Sequence, residues 1–194
     1  ILKPAVAAID RQFKDQPIVD AQLRQAVADV YYSIGLYDAA HALQETALAT
    51  RRGAPGEDHP ATLLSLNQMG ALLRAMGVLG EAEKCFRAAV DARRRVLGDE
   101  HPETLTSINN LGNLLQGLGR CAEAEACLRE ALEVSRSVLG ADHRITVTCV
   151  SNVGFLLHAQ GKPDAAEPYF REAVEKHRGL LGDEHPDTLN SMTN

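Results

Sequence analysis

Between Pro102 and Leu118 the apolar residues Leu105, Ile108, Leu111, Leu114, Leu115 and Leu118 recur at steps of three and four, the spacing of one face of an α-helix. Pro102 suits the first turn, where its missing N–H would have no partner, and Glu103 suits the positive end of the helix dipole. After a link at Gly119-Arg120 a second helix is predicted from about Ala122 to Val138. Its buried stripe is expected to be Ala124, Cys127 or Leu128, Ala131, Leu132, Val134 and Val138. Gly140 ends it, as a glycine in the left-handed region commonly does. So short a link forces the two helices, A and B, to lie antiparallel.

The pattern then repeats. Gly98-Asp99-Glu100-His101-Pro102-Glu103-Thr104-Leu105 returns as Gly182-Asp183-Glu184-His185-Pro186-Asp187-Thr188-Leu189, with further copies at Gly56–Leu63 and Gly140–Val147. The histidines of these copies stand at 59, 101, 143 and 185, a constant step of 42. Gly70, Gly112 and Gly154 keep the same step, as do Gly35, Gly77, Gly119 and Gly161. So do Ala40, Ala82, Ala124 and Ala166, and Ala47, Ala89, Ala131 and Ala173. Columns of Gly and Ala let paired helices approach closely, with Gly112 and Ala124 expected to face each other and Leu115, Leu128 and Val138 to fill the flanks. A single hairpin cannot bury both faces of its helices, so neighbouring hairpins are expected to stack.

The first full pair is expected at about 18–34 and 37–52, with residues 1 to about 13 as the latter part of an earlier helix B. Domain boundaries follow as one array: 1–17 closing a preceding repeat, repeats at 18–59, 60–101, 102–143 and 144–185, and 186–194 opening another. The first residue is Ile1, not Met, and Asn194 falls in the middle of a helix A, so the chain reads as a slice of a longer array.

Composition agrees with this picture. Hydrophobic residues make up 45% but aromatics only 4%, which suits helix–helix packing better than a β-sandwich. A net charge of -6 argues against a nucleic-acid partner, and no apolar run reaches the roughly 18–20 residues that span a bilayer. Cys85, Cys121, Cys127 and Cys149 form no CxxC pair and read as reduced thiols of a cytoplasmic protein.

The paired helices with Gly70, Ala82, Phe86 and Ala89 in register resemble the tetratricopeptide repeat. The 42-residue period, the link Leu97-Gly98…His101-Pro102…Thr104-Leu105 and the run Asn109-Asn110-Leu111 resemble its kinesin light chain type, which also occurs in bacterial signalling proteins. The opening Phe13-Lys14-Asp15-Gln16-Pro17, with the Ala/Arg/Leu/Gly bias, resembles the repeat tails of bacterial serine/threonine kinases. The likeness to the tetratricopeptide repeat of kinesin light chain type spans about residues 18–194 and implies an all-α, right-handed superhelical solenoid whose A helices line a concave face. It also implies a protein- or peptide-binding scaffold that is not an enzyme and needs no cofactor. Self-association through exposed array ends is a further expectation. The alternative is a regulatory or structural spacer that self-associates or docks on a catalytic domain, such as a kinase, of the same polypeptide.

Carried onto this sequence, the inward A-helix positions are Gln22, Gln25, Asp29 and Tyr32, then Leu64, Asn67, Ala71 and Arg74. Thr106, Asn109, Asn113 and Gln116 follow, and finally Thr148, Ser151, Phe155 and His158. The groove is expected to rest on Gln25, Asp29, Tyr32, Asn67, Arg74, Asn109, Asn113, Gln116, Ser151, Phe155 and His158. Asn and Gln offer both donor and acceptor to a peptide backbone, and Tyr32 and Phe155 are candidate anchors. With Arg74 the only basic residue among them, neither a carboxylate clamp nor the acidic-peptide specificity of kinesin light chains is expected.

Other signals reduce to structure. The histidine column is spaced by about one repeat width, roughly 10 Å, too far for convergence on one ion, so capping and link packing are expected. Arg93-Arg94-Arg95 closes a helix B and is expected to be solvated or to satisfy the negative end of the dipole. Cys85 and Cys127 share a column and are expected to point toward the core. No Walker-type loop, dinucleotide fingerprint, GxSxG or HExxH is present.

Overall fold

A computed structural model describes residues 3–54 and 56–182. Among the described residues there are nine helices and no strand. They are α1 (Lys3–Gln12), α2 (Pro17–Ser33), α3 (Tyr37–Gly53), α4 (Pro60–Ala75), α5 (Leu79–Leu97), α6 (Pro102–Gly117), α7 (Cys121–Leu139), α8 (Arg144–Ala159) and α9 (Pro163–Leu181). The chain forms two compact units, residues 1–96 and 97–194. The copy of the link at His185 and the helix start at 186–194 lie outside the described residues.

The A helices with a histidine before them open in one way. His59, His101 and His143 occupy the N-caps in extended backbone, and each Nδ1 accepts the N–H two residues on, from Ala61, Glu103 and Ile145, at 3.2 Å. An imidazole nitrogen thus satisfies one of the orphan donors at each start. Thr62 and Thr104 add a tie, their hydroxyls donating to the carbonyls of Gly56 at 2.7 Å and Gly98 at 2.8 Å. The histidine column is therefore a capping column.

The A helices also end alike. Gly35, Gly77, Gly119 and Gly161 take φ of +77°, +78°, +74° and +74°, where a Cβ would be strained. The next N–H in each case reaches back five residues, as from Leu36 to the Tyr31 carbonyl and from Arg120 to that of Leu115, both at 2.9 Å. This sharp reversal sends each B helix back along its partner.

Close approach depends on the other glycine column. A Cβ on Gly112 would lie 2.7 Å from Leu128 Cγ and Cδ2 and 3.3 Å from Cys127 Cβ. One on Gly70 would meet the Phe86 ring at 2.9 Å, and one on Gly154 the Phe170 ring at 2.9 Å. Glycine therefore faces the bulky residue of helix B, not alanine as the sequence suggested. The side chain of Leu128 occupies the space that glycine vacates.

The unit of residues 97–194 buries Leu105, Ile108, Leu111, Leu114 and Leu115 from α6, and Ala124, Leu128, Ala131 and Leu132 from α7. Leu118, Cys127 and Val134 are half-buried. Val138, expected in the core, is 39% exposed. Ser135, three residues after Leu132, is the last buried residue of α7, so burial ends one turn before Val138. In the other unit Ala28, Tyr31, Ala40, Leu43 and Leu72 form a core, with Val6 from α1 packed against it. Arg24 ties α1 to α2 by bonding Asp10 at 2.5 Å while its Nε holds Asp20 at 2.6 Å.

Two outcomes follow. Gly112→Ala overpacks against Leu128 by about 1–3 kcal/mol, partly offset by the roughly 1 kcal/mol that alanine gains in a helix. In a double-mutant cycle with Leu128→Val, denaturant melts should read a coupling above about 0.5 kcal/mol, and strict additivity would deny the contact. His101→Ala should cost about 1 kcal/mol and His101→Asn much less, since asparagine keeps a cap acceptor; equal losses would remove the cap from the account.

Candidate functional site

The interior of each unit contains more polar chemistry than the leucine pattern announces. Arg51, Arg93, Ser135 and His177 stand in one column of step 42, near the ends of the B helices, and all four are buried. Arg93 is only 2% exposed, so the reading of Arg93-Arg94-Arg95 as solvated holds only for Arg95, which pairs with Asp58. The match in register with Arg51 was the signal for this.

Around Arg51 the first unit builds a buried network. Its guanidinium donates to Gln25 Oε1 at 3.3 Å, to the Ala61 carbonyl at 3.4 Å and to Ser65 Oγ. Gln25 Nε2 donates to Asp29 at 2.9 Å and to Gln44 Oε1, and Gln44 Nε2 donates to the Ser65 carbonyl at 2.9 Å. Burial pushes the Arg51 guanidinium below its ordinary value, against the opposing pull of Asp29. Acceptors of this kind make a buried cation tolerable, although Arg51 Nε is left without one. Gln25, a proposed groove residue, is consumed here and is only 6% exposed.

Above this network lies a cleft of about 230 Å³ lined by Ala28, Asp29 and Tyr32 of α2, Gln44 of α3, and Gln68, Ala71 and Leu72 of α4. Its origin is a break in a column. Where the later hairpins set Phe86, Leu128 and Phe170 against glycine, this one has Gln44 and Ala28. The amide turns down to Ser65, and no large side chain fills the gap. Asp29 and Tyr32, both expected in the groove, line it; Tyr32 is 39% exposed and its ring lies 5.7 Å from that of Tyr37. Gln44 and Gln68 were not anticipated, although Gln44 interrupts the Phe86–Leu128–Phe170 column in plain view.

The remaining expected positions divide. Asn67 is buried at 8% exposure, while Arg74 is exposed one turn beyond Ala71 on α4. In the second unit Asn109, 4% exposed, accepts from Asn152 Nδ2 at 2.9 Å, joining α6 to α8. Asn113 and Gln116 are half-buried on α6, and the Ser151 hydroxyl donates back to the Val147 carbonyl at 3.1 Å. Phe155 is 38% exposed and meets Phe170 edge-on at 5.2 Å, with exposed His158 at 6.4 Å from the same ring. The stripe thus resolves into buried amides that join helices and surface residues open to a ligand.

Among the described residues no group of three or more His, Cys, Asp or Glu is placed to hold a metal, and no helix is long and apolar enough to cross a membrane. All four cysteines are free; Cys121 is exposed, Cys85 and Cys127 are half-buried, and Cys149 is buried. Burial pushes the Cys149 thiol up to about 11, despite a hydrogen bond with Ser135 that pulls the other way.

With this geometry in hand, comparison with known families gives a direct answer. The tetratricopeptide repeat matches at residues 20–77, 63–137, 106–176 and 148–194. The chain belongs to the tetratricopeptide repeat family. Among solved structures, BtubC (BKLC) from P. vanneervenii is similar, with a TM-score of 0.79 and 19% identity over 98% of this chain and 77% of that one. A putative kinesin light chain of Podosopora anserina with nearly identical TPR-like repeats gives 0.71 and 24%, over 88% of this chain and 81% of that one. The apo form of RapI gives 0.76 and 15%, over 98% and 73%. At these identities the likeness is one of fold, that of a tetratricopeptide-like α-solenoid. A comparison with curated proteins gives no match.

The thiols provide a check on this tetratricopeptide packing. Alkylation at neutral pH should label Cys121 first and Cys149 only under denaturing conditions, because a buried thiol held near 11 supplies almost no thiolate. Peptide mass mapping over time reads the order, and early labelling of Cys149 would contradict its burial.

Proposed function

We propose that this chain is a protein-binding scaffold that holds a peptide or protein segment along the concave side lined by its A helices. The observation carrying this reading is the cleft between α2 and α4, where an apolar floor meets an exposed tyrosine and fixed amides. At about 230 Å³ the cleft is smaller than ordinary small-molecule pockets, a size suited to a single side chain. In the second unit Phe155, braced by Phe170 and flanked by His158, offers a second exposed aromatic anchor on an A helix. Buried aromatic anchors carry a large share of affinity in protein recognition. Tetratricopeptide proteins in general bind protein partners, which supports the reading at the level of class.

In the first unit the proposed contacts are Asp29, Tyr32 and Arg74, joined by Gln68 and Ala71; in the second unit they are Asn113, Gln116, Ser151, Phe155 and His158. Gln25, Asn67 and Asn109 support it from beneath. Four free thiols suit a reducing compartment, and a cytoplasmic location is part of the proposal.

A displayed random-peptide library selected on the 194-residue chain gives the ligand, and fluorescence polarisation gives its affinity. Tyr32→Ala and Phe155→Ala should each weaken the selected peptide by roughly tenfold, about 1.4 kcal/mol, with the melting curve little changed. Unchanged affinity in both variants would take the A-helix face out of the function.

A further inference from the structure

The cleft between α2 and α4 presents acceptors, the exposed Asp29 carboxylate and the Gln68 amide oxygen. Each amide nitrogen there gives one N–H to a neighbour, Gln44 Nε2 to the Ser65 carbonyl at 2.9 Å and Gln68 Nε2 to Asp29 Oδ1 at 3.3 Å. The oxygens are less fully used. Asp29 receives both of its hydrogen bonds, from Gln25 and Gln68, on Oδ1, and Oδ2 receives none. Gln68 Oε1 is buried and has no donor. Rotating the Gln68 amide offers no remedy, because its oxygen would then face the Asp29 carboxylate.

No lysine or arginine lines this cleft. Arg51 lies beneath it and its charge acts on Asp29, but its Nη1 is directed to Gln25, Ser65 and the Ala61 carbonyl and it makes no hydrogen bond to that carboxylate. The unfilled wall is thus a carboxylate oxygen beside an amide oxygen, over an apolar floor of Ala28, Ala71 and Leu72. Tyr32, 39% exposed, lines the cleft as well, and an aromatic ring can attract a cation. The volume, about 230 Å³, is below that of ordinary small-molecule pockets and suits one long side chain.

We propose that this cleft receives an arginine side chain of the bound peptide, its guanidinium on Asp29 and its stem along Ala28, Ala71 and Leu72. The proposal rests on the peptide-binding reading above and gives it a chemical preference. Guanidinium fits better than ammonium because its planar fork reaches two acceptors at once and stacks on tyrosine. The acidic residue is particular to this hairpin, since the same column holds Ala71, Asn113 and Phe155 elsewhere.

The probe is a set of short peptides of one frame, Gly-Ala-Leu-X-Leu-Ala-Gly, with X as arginine, lysine, norleucine or glutamate. Each is titrated against the 194-residue chain while backbone amide resonances are followed by NMR. The arginine peptide should shift Asp29, Tyr32 and Gln68 and bind roughly tenfold more tightly than the norleucine peptide, with lysine between them. Asp29→Asn should abolish that advantage, and Tyr32→Leu should reduce it by a second route that leaves the carboxylate network intact. Norleucine or glutamate binding as tightly as arginine would overturn the proposal, as would an arginine advantage that survives in a folded Asp29→Asn chain. Peptide shifts confined to other A-helix surfaces, with no arginine preference, would overturn it alone. A complete lack of shifts on any A helix would overturn both it and the peptide-binding reading.

Discussion

The fold depends on how closely helix A can lie against helix B, and glycine sets that distance. At Gly70, Gly112 and Gly154 the opposing side chain already occupies the place a Cβ would need. Because those partners are Phe86, Leu128 and Phe170, each of these hairpins seats a large side chain without widening the gap between its helices. Well-packed interiors leave little room for error at such points. The histidine caps and left-handed glycines fix where the A helices start and turn.

The first hairpin relaxes the rule, and that relaxation creates the candidate site. Ala28 replaces glycine and Gln44 replaces the bulky residue, so the contact is made by a polar side chain with internal partners. The same departure opens a hollow and brings a carboxylate to its wall. The proposed site thus falls where the repeat departs from its own pattern.

Much of this was legible in the sequence. The step of 42 gave the helices, the capping role of His59, His101 and His143, and the core leucines of α6, because periodicity reports burial directly. The positions of Asp29, Tyr32 and Phe155 on exposed faces could be carried over from the family pattern. Arg93 was less readable: a charged residue at a helix end is usually solvated, and only its register with Arg51 betrays a buried role. Val138 misled because hydrophobicity does not say how far along a helix burial extends. Gln25, Asn67 and Asn109 illustrate another limit, since an amide suited to a peptide backbone is equally suited to a neighbouring helix.

The buried column of Arg51, Arg93, Ser135 and His177 has a consequence for assembly. Hairpins of one backbone shape could in principle exchange places, or dock one period out of step, without disturbing their apolar contacts. Their interiors oppose the larger slip. Arg51 displaced by two periods would lose Ser65 and meet Cys149 in its place, leaving a buried cation short of acceptors. One period on, Arg93 and Ser107 repeat the Arg51 and Ser65 pair, so the polar insert penalises the two-period order and not the neighbouring one.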